Sequence, residues 1–148
     1  MVLALAKGLW TTLKHVFKKE VTIPYPEVKP PLQDRYRGRQ ILIKDEDGLE
    51  RCVGCELCAV ACPADAIFVK AAENDPDHPR SHGERYAERY EINMLRCIFC
   101  GMCEEACPED AIFLEKNYEL SDYWREAFIY TKDELLVPVE KAGYLPER

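Results

Sequence analysis

The sequence predicts an α+β fold in which an N-terminal helix and an extended arm precede a compact domain made of two related halves. A four-cysteine motif occurs twice, and the residues around it repeat, which predicts the two halves. Apolar residues at helical spacing over residues 2–19 predict the N-terminal helix. The 148 residues suffice for one domain with extensions.

The N-terminal helix is predicted to be amphipathic and cationic. Its apolar stripe is Val2, Leu5, Leu9, Leu13 and Phe17, with Trp10 and Val16 beside it. The polar side carries Lys7, Lys14, Lys18 and Lys19. A helix of this kind can lie in a membrane interface, and the same stripe can equally dock on protein. Because lysines interrupt the apolar stretch, we expect neither a signal peptide nor a membrane span.

An arm follows the helix. Four prolines in residues 21–33 predict extended backbone, since proline fixes φ and removes a hydrogen-bond donor. The basic segment Arg35-Tyr-Arg-Gly-Arg39 then leads into a predicted strand, Gln40–Lys44. Residues 1–45 hold nine Lys and Arg against four Asp and Glu, a net charge of +5, whereas residues 46–148 have a net charge of −12. This asymmetry predicts an anionic surface as the arm's partner, either lipid or acidic protein, and no nucleic acid.

The two motifs account for every cysteine of the chain. Each reads C-x2-C-x2-C-x3-C-P, and the ligands are Cys52, Cys55, Cys58 and Cys62 in the first and Cys97, Cys100, Cys103 and Cys107 in the second. This run typically holds a [4Fe–4S] cluster, so the sequence predicts two such clusters and an electron carrier. Zinc also binds paired C-x2-C units, but two complete runs ending in Cys-Pro are unlike zinc fingers. Thiolate ligands predict a reducing compartment.

The repeat covers residues 49–70 and 94–115, at an offset of 45, with eleven of twenty-two positions identical. It predicts a ferredoxin-like domain over residues 46–116 whose halves are related by a pseudo-twofold axis. Each half should contain a ligand loop, a short helix around Cys62 or Cys107, and a strand at residues 67–69 or 112–114. Residues 1–45 form the predicted arm, and residues 117–148 form a C-terminal extension. Apolar residues within 117–135 should pack on the domain or on a neighbour; they are Tyr118, Leu120, Tyr123, Trp124, Phe128 and Leu135.

The ligands are predicted to cross between the halves. In two-cluster chains, the fourth cysteine of each run serves the other cluster. The first cluster therefore takes Cys52, Cys55, Cys58 and Cys107. The second cluster takes Cys97, Cys100, Cys103 and Cys62. Gly54 and Gly101 should let the backbone approach the clusters.

The stretch between the repeats is less informative. Residues 71–84 are polar and contain His78 and His82, which we expect in a surface loop rather than at a metal or proton-transfer site. A strand is predicted at Tyr90–Met94.

The chain resembles the two-cluster ferredoxin-like subunit of respiratory complex I, NADH:quinone oxidoreductase. The cysteine runs match any two-cluster ferredoxin, whereas four segments are more specific to this family. They are the apolar-basic helix with its proline-rich arm, Arg35-Tyr-Arg-Gly-Arg39, Glu91-Ile-Asn-Met-Leu-Arg-Cys-Ile-Phe-Cys-Gly-Met-Cys103, and Tyr130-Thr-Lys-Asp-Glu-Leu-Leu136. The likeness extends over roughly residues 5–137.

The resemblance implies an electron-carrying subunit of a multi-subunit oxidoreductase. It implies that electrons originating at NADH and flavin pass through two [4Fe–4S] clusters toward a terminal cluster and quinone. It implies no substrate-binding or catalytic site on this chain, and a peripheral place on the cytoplasmic face of the membrane, or on the matrix or stroma side in an organelle.

Three other interpretations remain open. The first is the equivalent subunit of a related membrane hydrogenase or F420H2 dehydrogenase. The second is a free soluble two-cluster ferredoxin, which has no need of the basic arm. The third is a structural or assembly protein whose clusters only hold the fold together.

Overall fold

The computed structural model describes residues 2–142 and divides the chain into two compact units, residues 1–32 and 33–148. In the first unit, helix α1 spans Val2–Val16, and residues 17–32 form neither helix nor strand. The predicted helix is thus confirmed but ends three residues earlier, with Lys14 and His15 in its last turn, where cations are favourable. Within the described residues, no helix is both long and apolar enough to cross a membrane.

The second unit contains two three-stranded sheets. In the first sheet, β1 (Gln40–Lys44) lies between β4 (Ile112–Leu114), which is antiparallel to it, and β6 (Leu136–Pro138), which is parallel. Four consecutive residues of β1 are buried, so both faces of the strand are covered. The strand that the sequence placed in the arm is therefore the middle strand of a sheet.

The second sheet is antiparallel, in the order β2-β3-β5. Strand β2 spans Ile67–Glu73, β3 spans Arg85–Asn93, and β5 spans Ile129–Thr131. Both β2 and β3 are longer than predicted because they form one hairpin, in which the pairing continues from Ile67 and Ile92 out to Glu73 and Arg85. The loop between them contains His78 and His82, both exposed as expected.

Two short helices differ from their predicted positions. Helix α2 spans Leu57–Val60 and helix α3 spans Met102–Glu105, so each contains the third cysteine of its motif and ends before the fourth. The prediction of helices around Cys62 and Cys107 is therefore wrong, because each helix lies around the third cysteine of its motif. The reason is local, since each helix starts directly after a residue with left-handed backbone.

The C-terminal extension belongs to the second unit. A 3-10 helix at Arg125–Phe128 precedes β5, helix α4 (Lys132–Leu135) and β6. Leu120, Phe128 and Leu135 join the main core, as predicted. Tyr123 and Trp124 are instead exposed. Residues 143–148, the end of the predicted extension, lie outside the described residues.

The main core gathers side chains from both sheets and from helices α2, α3 and α4. Its buried members include two cysteines, one from each motif; the set is Leu42, Cys58, Ala87, Tyr90, Ile92, Met94, Cys103, Ile112 and Leu135. A smaller cluster of Ile41, Ile43 and Phe113 forms separately. The cysteine loops are therefore built into the core of the domain.

Candidate metal centres

Four thiols line a first cavity in the second unit. They are Cys52, Cys55 and Cys58 of the first motif and Cys107 of the second. Apolar side chains from both sheets complete the wall, among them Leu42, Val69 and Ile112. The first three cysteines come from one loop, and the fourth comes from the other half of the repeat.

A second cavity has the reciprocal lining. Its thiols belong to Cys97, Cys100 and Cys103 of the second motif and to Cys62 of the first. Ile67, Ile92 and Ile98 supply apolar wall, and Gln40 contributes a polar side chain. The eight cysteines are thus divided into two sets of four, each drawn three to one from the two motifs.

The backbone of both ligand loops repeats at the offset of the sequence. Positive φ occurs at three matched pairs of positions, Gly54 and Phe99, Glu56 and Gly101, and Asp65 and Asp110. Each loop therefore uses glycine at only one of two left-handed positions and a side-chain-bearing residue at the other. Aligning the two motifs could have predicted left-handed backbone at Glu56 and Phe99, because each aligns with a glycine in the other copy.

Gly54 is required for a second reason. A Cβ atom at this position would lie 3.0 Å from both the Ala71 Cβ and the Tyr86 carbonyl oxygen. The ligand loop therefore approaches the β2–β3 hairpin more closely than any side chain allows. At Gly101, the nearest atoms belong to the flexible side chain of Arg37, 3.1 Å away.

Hydrogen bonds to sulfur also repeat between the halves. The Ala66 N–H donates to Cys62 Sγ at 3.3 Å, and the Ala111 N–H donates to Cys107 Sγ at the same distance. Two side chains break the symmetry. The Tyr90 hydroxyl lies 3.3 Å from Cys58 Sγ, and the Gln40 amide donates to Cys97 Sγ at 3.1 Å.

Burial makes free thiolates unfavourable at these positions. It raises the pKa of the Cys52 and Cys103 thiols to about 12 and also raises the pKa of Cys58. Neighbouring cysteines raise these pKa values further, including Cys107 at Cys52 and Cys58 at Cys103. Metal ligation requires thiolate, so iron would offset a desolvation cost that the protein alone does not.

The donor chemistry fits [4Fe–4S] clusters. Each cavity offers four thiols, one for each iron of the cluster, within apolar surroundings. Over residues 2–142, no three His, Cys, Asp or Glu side chains converge on the position of a single metal ion. A four-iron cluster needs no such convergence, because its ligands bind four separate corners. Cys58 and Cys103 lie in the same core, so the two cavities are neighbours.

The histidines do not line either cavity. His82 Nε2 lies 3.2 Å from an Asp45 carboxylate oxygen, at the surface. Sequence reasoning missed the contacts of Tyr90 and Gln40 with sulfur. The available signal for Gln40 was a polar residue directly before three apolar residues of a predicted strand, and no signal marked Tyr90.

A family model described as a 4Fe-4S dicluster domain matches residues 51–111. Among curated proteins, the chain is 59% identical over 135 residues to NADH-quinone oxidoreductase subunit I 1 of Symbiobacterium thermophilum, covering 91% of this chain and 83% of that protein. It is 54% identical to NADH-quinone oxidoreductase subunit 9 of Thermus thermophilus, covering 98% and 79%. It is 63% identical to subunit I of Protochlamydia amoebophila, covering 90% and 85%.

A solved structure is also similar. It belongs to the membrane-bound sulfane sulfur reductase, an archaeal respiratory membrane complex, with a TM-score of 0.55 and 32% sequence identity. The match covers 89% of this chain and 64% of that one, slightly less than two thirds of its length.

Proposed function

Because the chain belongs to the family of subunit I of NADH-quinone oxidoreductase, we propose that its two four-cysteine cavities serve as consecutive electron carriers in such a complex. The chain is an electron-transfer subunit with two [4Fe–4S] clusters, and its partners are the other subunits of that complex. The resemblance noted in the sequence is therefore confirmed. The observation that best supports the proposal is the pair of neighbouring four-thiol cavities within one core.

The ligands of each cluster follow the lining of the cavities in this proposal. Cys52, Cys55, Cys58 and Cys107 hold the first cluster, and Cys97, Cys100, Cys103 and Cys62 hold the second. The influence of Cys107 on the pKa of the Cys52 thiol supports this crossing. When bound, the clusters supply one-electron redox chemistry at the centre of the domain.

The protein's own contribution is position and exclusion of water. The crossed fourth ligands tie the halves together, so neither cluster can move without the other half. Leu42, Val69 and Ile112 shield the first cavity, and Ile67, Ile92 and Ile98 line the second. We infer that electrons reach this subunit from the NADH side and leave toward a terminal cluster on a neighbouring subunit and then quinone. The chain itself binds neither NADH nor quinone in this scheme.

A pseudo-twofold relation between the halves is also inferred. The matched positive-φ positions and the matched N–H bonds to Cys62 and Cys107 support it. The relation gives two equivalent ligand loops that face each other's fourth cysteine.

The subunit belongs to a membrane-associated complex, and we propose that α1 rests at the membrane surface on the cytoplasmic face. The helix is cationic and carries Trp10, with Phe17 just after it and exposed apolar neighbours, the composition of an interfacial helix. Deleting residues 1–20 should weaken membrane attachment while iron content per chain stays at two clusters. Loss of both clusters would show that the arm is needed for folding instead.

The equivalent subunit of another membrane complex is the second candidate, favoured by the similarity to the sulfane sulfur reductase chain. The higher identity to the NADH-quinone oxidoreductase subunits favours the first candidate. Gentle anaerobic isolation from membranes, followed by mass spectrometry and NADH addition, separates the two. We expect co-purifying flavin- and NADH-binding subunits and clusters that become reduced with NADH. Hydrogenase-type partners and oxidised clusters would instead support the second candidate.

A further inference from the structure

Gln40 is a buried polar side chain at a position where the fold favours an apolar one. It is 2% exposed and opens β1, in which the next three residues are Ile41, Leu42 and Ile43. Among the described residues, the buried polar or charged side chains are Gln40, Glu50 and Ser81. Glu50 and Ser81 have hydrogen-bond partners for their side-chain oxygens.

One half of the Gln40 amide has no partner. Its Oε1 atom is buried without a hydrogen bond within residues 2–142. An unpaired buried carbonyl costs free energy, and an apolar side chain of similar shape would avoid that cost. The amide is therefore not explained by packing or by the stability of the strand.

The other half of the amide points into the second cavity. Gln40 lines that cavity, and its Nε2 donates to Cys97 Sγ at 3.1 Å. The Phe99 N–H also donates to this sulfur, at 3.4 Å. In the first half, the sulfur of the matching Cys52 accepts a hydrogen bond from the backbone of Gly54. The amide of Gln40 is thus an addition to a contact that the repeat already provides.

A hydrogen bond to a ligand sulfur acts on redox chemistry through charge. Reduction adds one negative charge to the cluster and its thiolates. An N–H dipole directed at sulfur stabilises that extra charge, and such bonds are among the factors that set the reduction potential. In an apolar cavity the effect is larger than in water, since the local dielectric constant is low.

We propose that Gln40 is a positioning residue that raises the reduction potential of the second cluster relative to the first. The inference rests on the proposed ligand sets, in which Cys97 holds the second cluster. Its amide N–H fixes the orientation of Cys97 Sγ and favours the reduced state. The unpaired Oε1 is the structural cost of keeping that N–H in place.

The test uses the full chain, loaded anaerobically with both clusters, and redox titration followed by electron paramagnetic resonance. Cys97→Ser identifies the signal of the second cluster. Gln40→Met should shift its reduction equilibrium about tenfold toward the oxidised state, which is about 59 mV for a one-electron couple. The first cluster should keep its potential. Gln33→Met is the matched control, because Gln33 is exposed and is the chain's other glutamine.

A second measurement detects the contact between the Gln40 amide and the second cluster without replacing Gln40. Because the chain has two glutamines, labelling their side-chain amides with ¹⁵N places one label beside the second cavity. Pulsed electron paramagnetic resonance should detect a ¹⁵N coupling to the reduced second cluster, and Gln33→Met should retain it. If Gln40→Met loses iron, Gln40→Leu takes its place in the titration.

Three results would overturn the proposal: an unchanged potential in the Gln40 variants, an equal shift of both clusters, or no ¹⁵N coupling in the unsubstituted chain. Iron and sulfide analysis of the unsubstituted chain distinguishes these from failure of the proposed function. If the chain loads two clusters but Gln40→Met leaves the reduction potential of the second cluster unchanged, only the role of Gln40 is refuted. A chain that cannot load two clusters refutes the ligand sets and this role with them.

Discussion

The two cysteine-rich halves have the same backbone in their ligand loops but different surroundings. Positive φ recurs at matched positions, and the N–H bonds to the fourth cysteines match as well. We call the position two residues before the first cysteine of each motif the entrance of that half. At the entrance of the first half, Glu50 is buried and paired with Lys132, whereas the matching Leu95 in the second half is half exposed. The shared residues shape the ligand cages. We expect the differing residues to affect the stability of each half and the reduction potential of its cluster.

Exchange of the fourth ligands is the strongest test of this comparison. Cys107→Ser should damage the cluster held by Cys52, Cys55 and Cys58, although Cys107 lies in the other motif. Cys62→Ser should damage the cluster held by Cys97, Cys100 and Cys103. We expect loss or conversion of one cluster in each variant, because serine is a poor replacement for a thiolate ligand. Iron analysis and electron paramagnetic resonance of the two variants measure this.

The two variants control each other. Crossed ligation requires that each one alter a different signal, and that the altered signal belong to the opposite motif. If Cys107→Ser spares the cluster of Cys52 and removes that of Cys97, each motif holds its own cluster and the crossed assignment is wrong.

The buried ion pair at the entrance of the first half gives the next largest effect. Lys132 Nζ lies 2.9 Å from Glu50 Oε1 and donates to the Ala87 carbonyl at 2.9 Å. Both side chains are nearly buried, at 12% and 10% exposure. Lys132→Met leaves the Glu50 carboxylate buried and unpaired, which should reduce the free energy of unfolding by about 3–5 kcal/mol. Chemical denaturation of the loaded chain measures the change.

The second half suggests the control for this variant. Position 95 is leucine there, so Glu50→Leu combined with Lys132→Met reproduces an uncharged entrance. The double variant should be more stable than Lys132→Met alone, because it leaves no unpaired buried charge. A double variant that is less stable than the single one would mean that the Glu50 side chain stabilises the fold through contacts other than its ion pair with Lys132.

Glycine substitutions should destabilise the two ligand loops to different degrees, with a smaller loss of unfolding free energy than Lys132→Met causes. Gly54→Ala forces a left-handed backbone on alanine and brings its Cβ against Ala71 and the Tyr86 carbonyl. Gly101→Ala meets the same backbone requirement, but the facing Arg37 side chain can move. We expect each variant to lose about 1–3 kcal/mol of unfolding free energy from the backbone alone, with the larger loss at Gly54. Equal losses in thermal unfolding would show that the close approach to the hairpin carries no cost.

Local pattern was sufficient to predict much of this molecule. The motif spacing identified the eight cysteines, and the run Gln40–Lys44 and the residues Ile112–Leu114 agree with β1 and β4. These elements carry their signal within a few residues. Helix α1 likewise follows from the spacing of its own apolar side chains.

Long-range pairing determined what the sequence could not predict. The place of β1 between β4 and β6 depends on strands about 70 and 95 residues away, so its sequence alone did not separate it from the arm. That same pairing brings Gln40 to Cys97, and the β2–β3 hairpin brings Tyr90 to Cys58. The partner of Lys132 was hidden for the same reason, since Glu50 is 82 residues distant.

The smallest predicted difference concerns an arginine that both halves share. Arg51 Nε lies 2.7 Å from an Asp45 carboxylate oxygen in a partly buried pair, whereas the matching Arg96 is exposed and reaches the Asp65 carbonyl at 3.4 Å. Arg51→Ala should therefore lower the unfolding free energy by about 0.2–1 kcal/mol, and Arg96→Ala by less. Raising the salt concentration should narrow the gap, because screening weakens an ion pair more than a bond to a neutral carbonyl. If denaturation at low salt shows that Arg96→Ala loses more unfolding free energy than Arg51→Ala, the ion pair is not the main contribution of this arginine. Its packing and its hydrogen bond to backbone would then explain why both halves carry it.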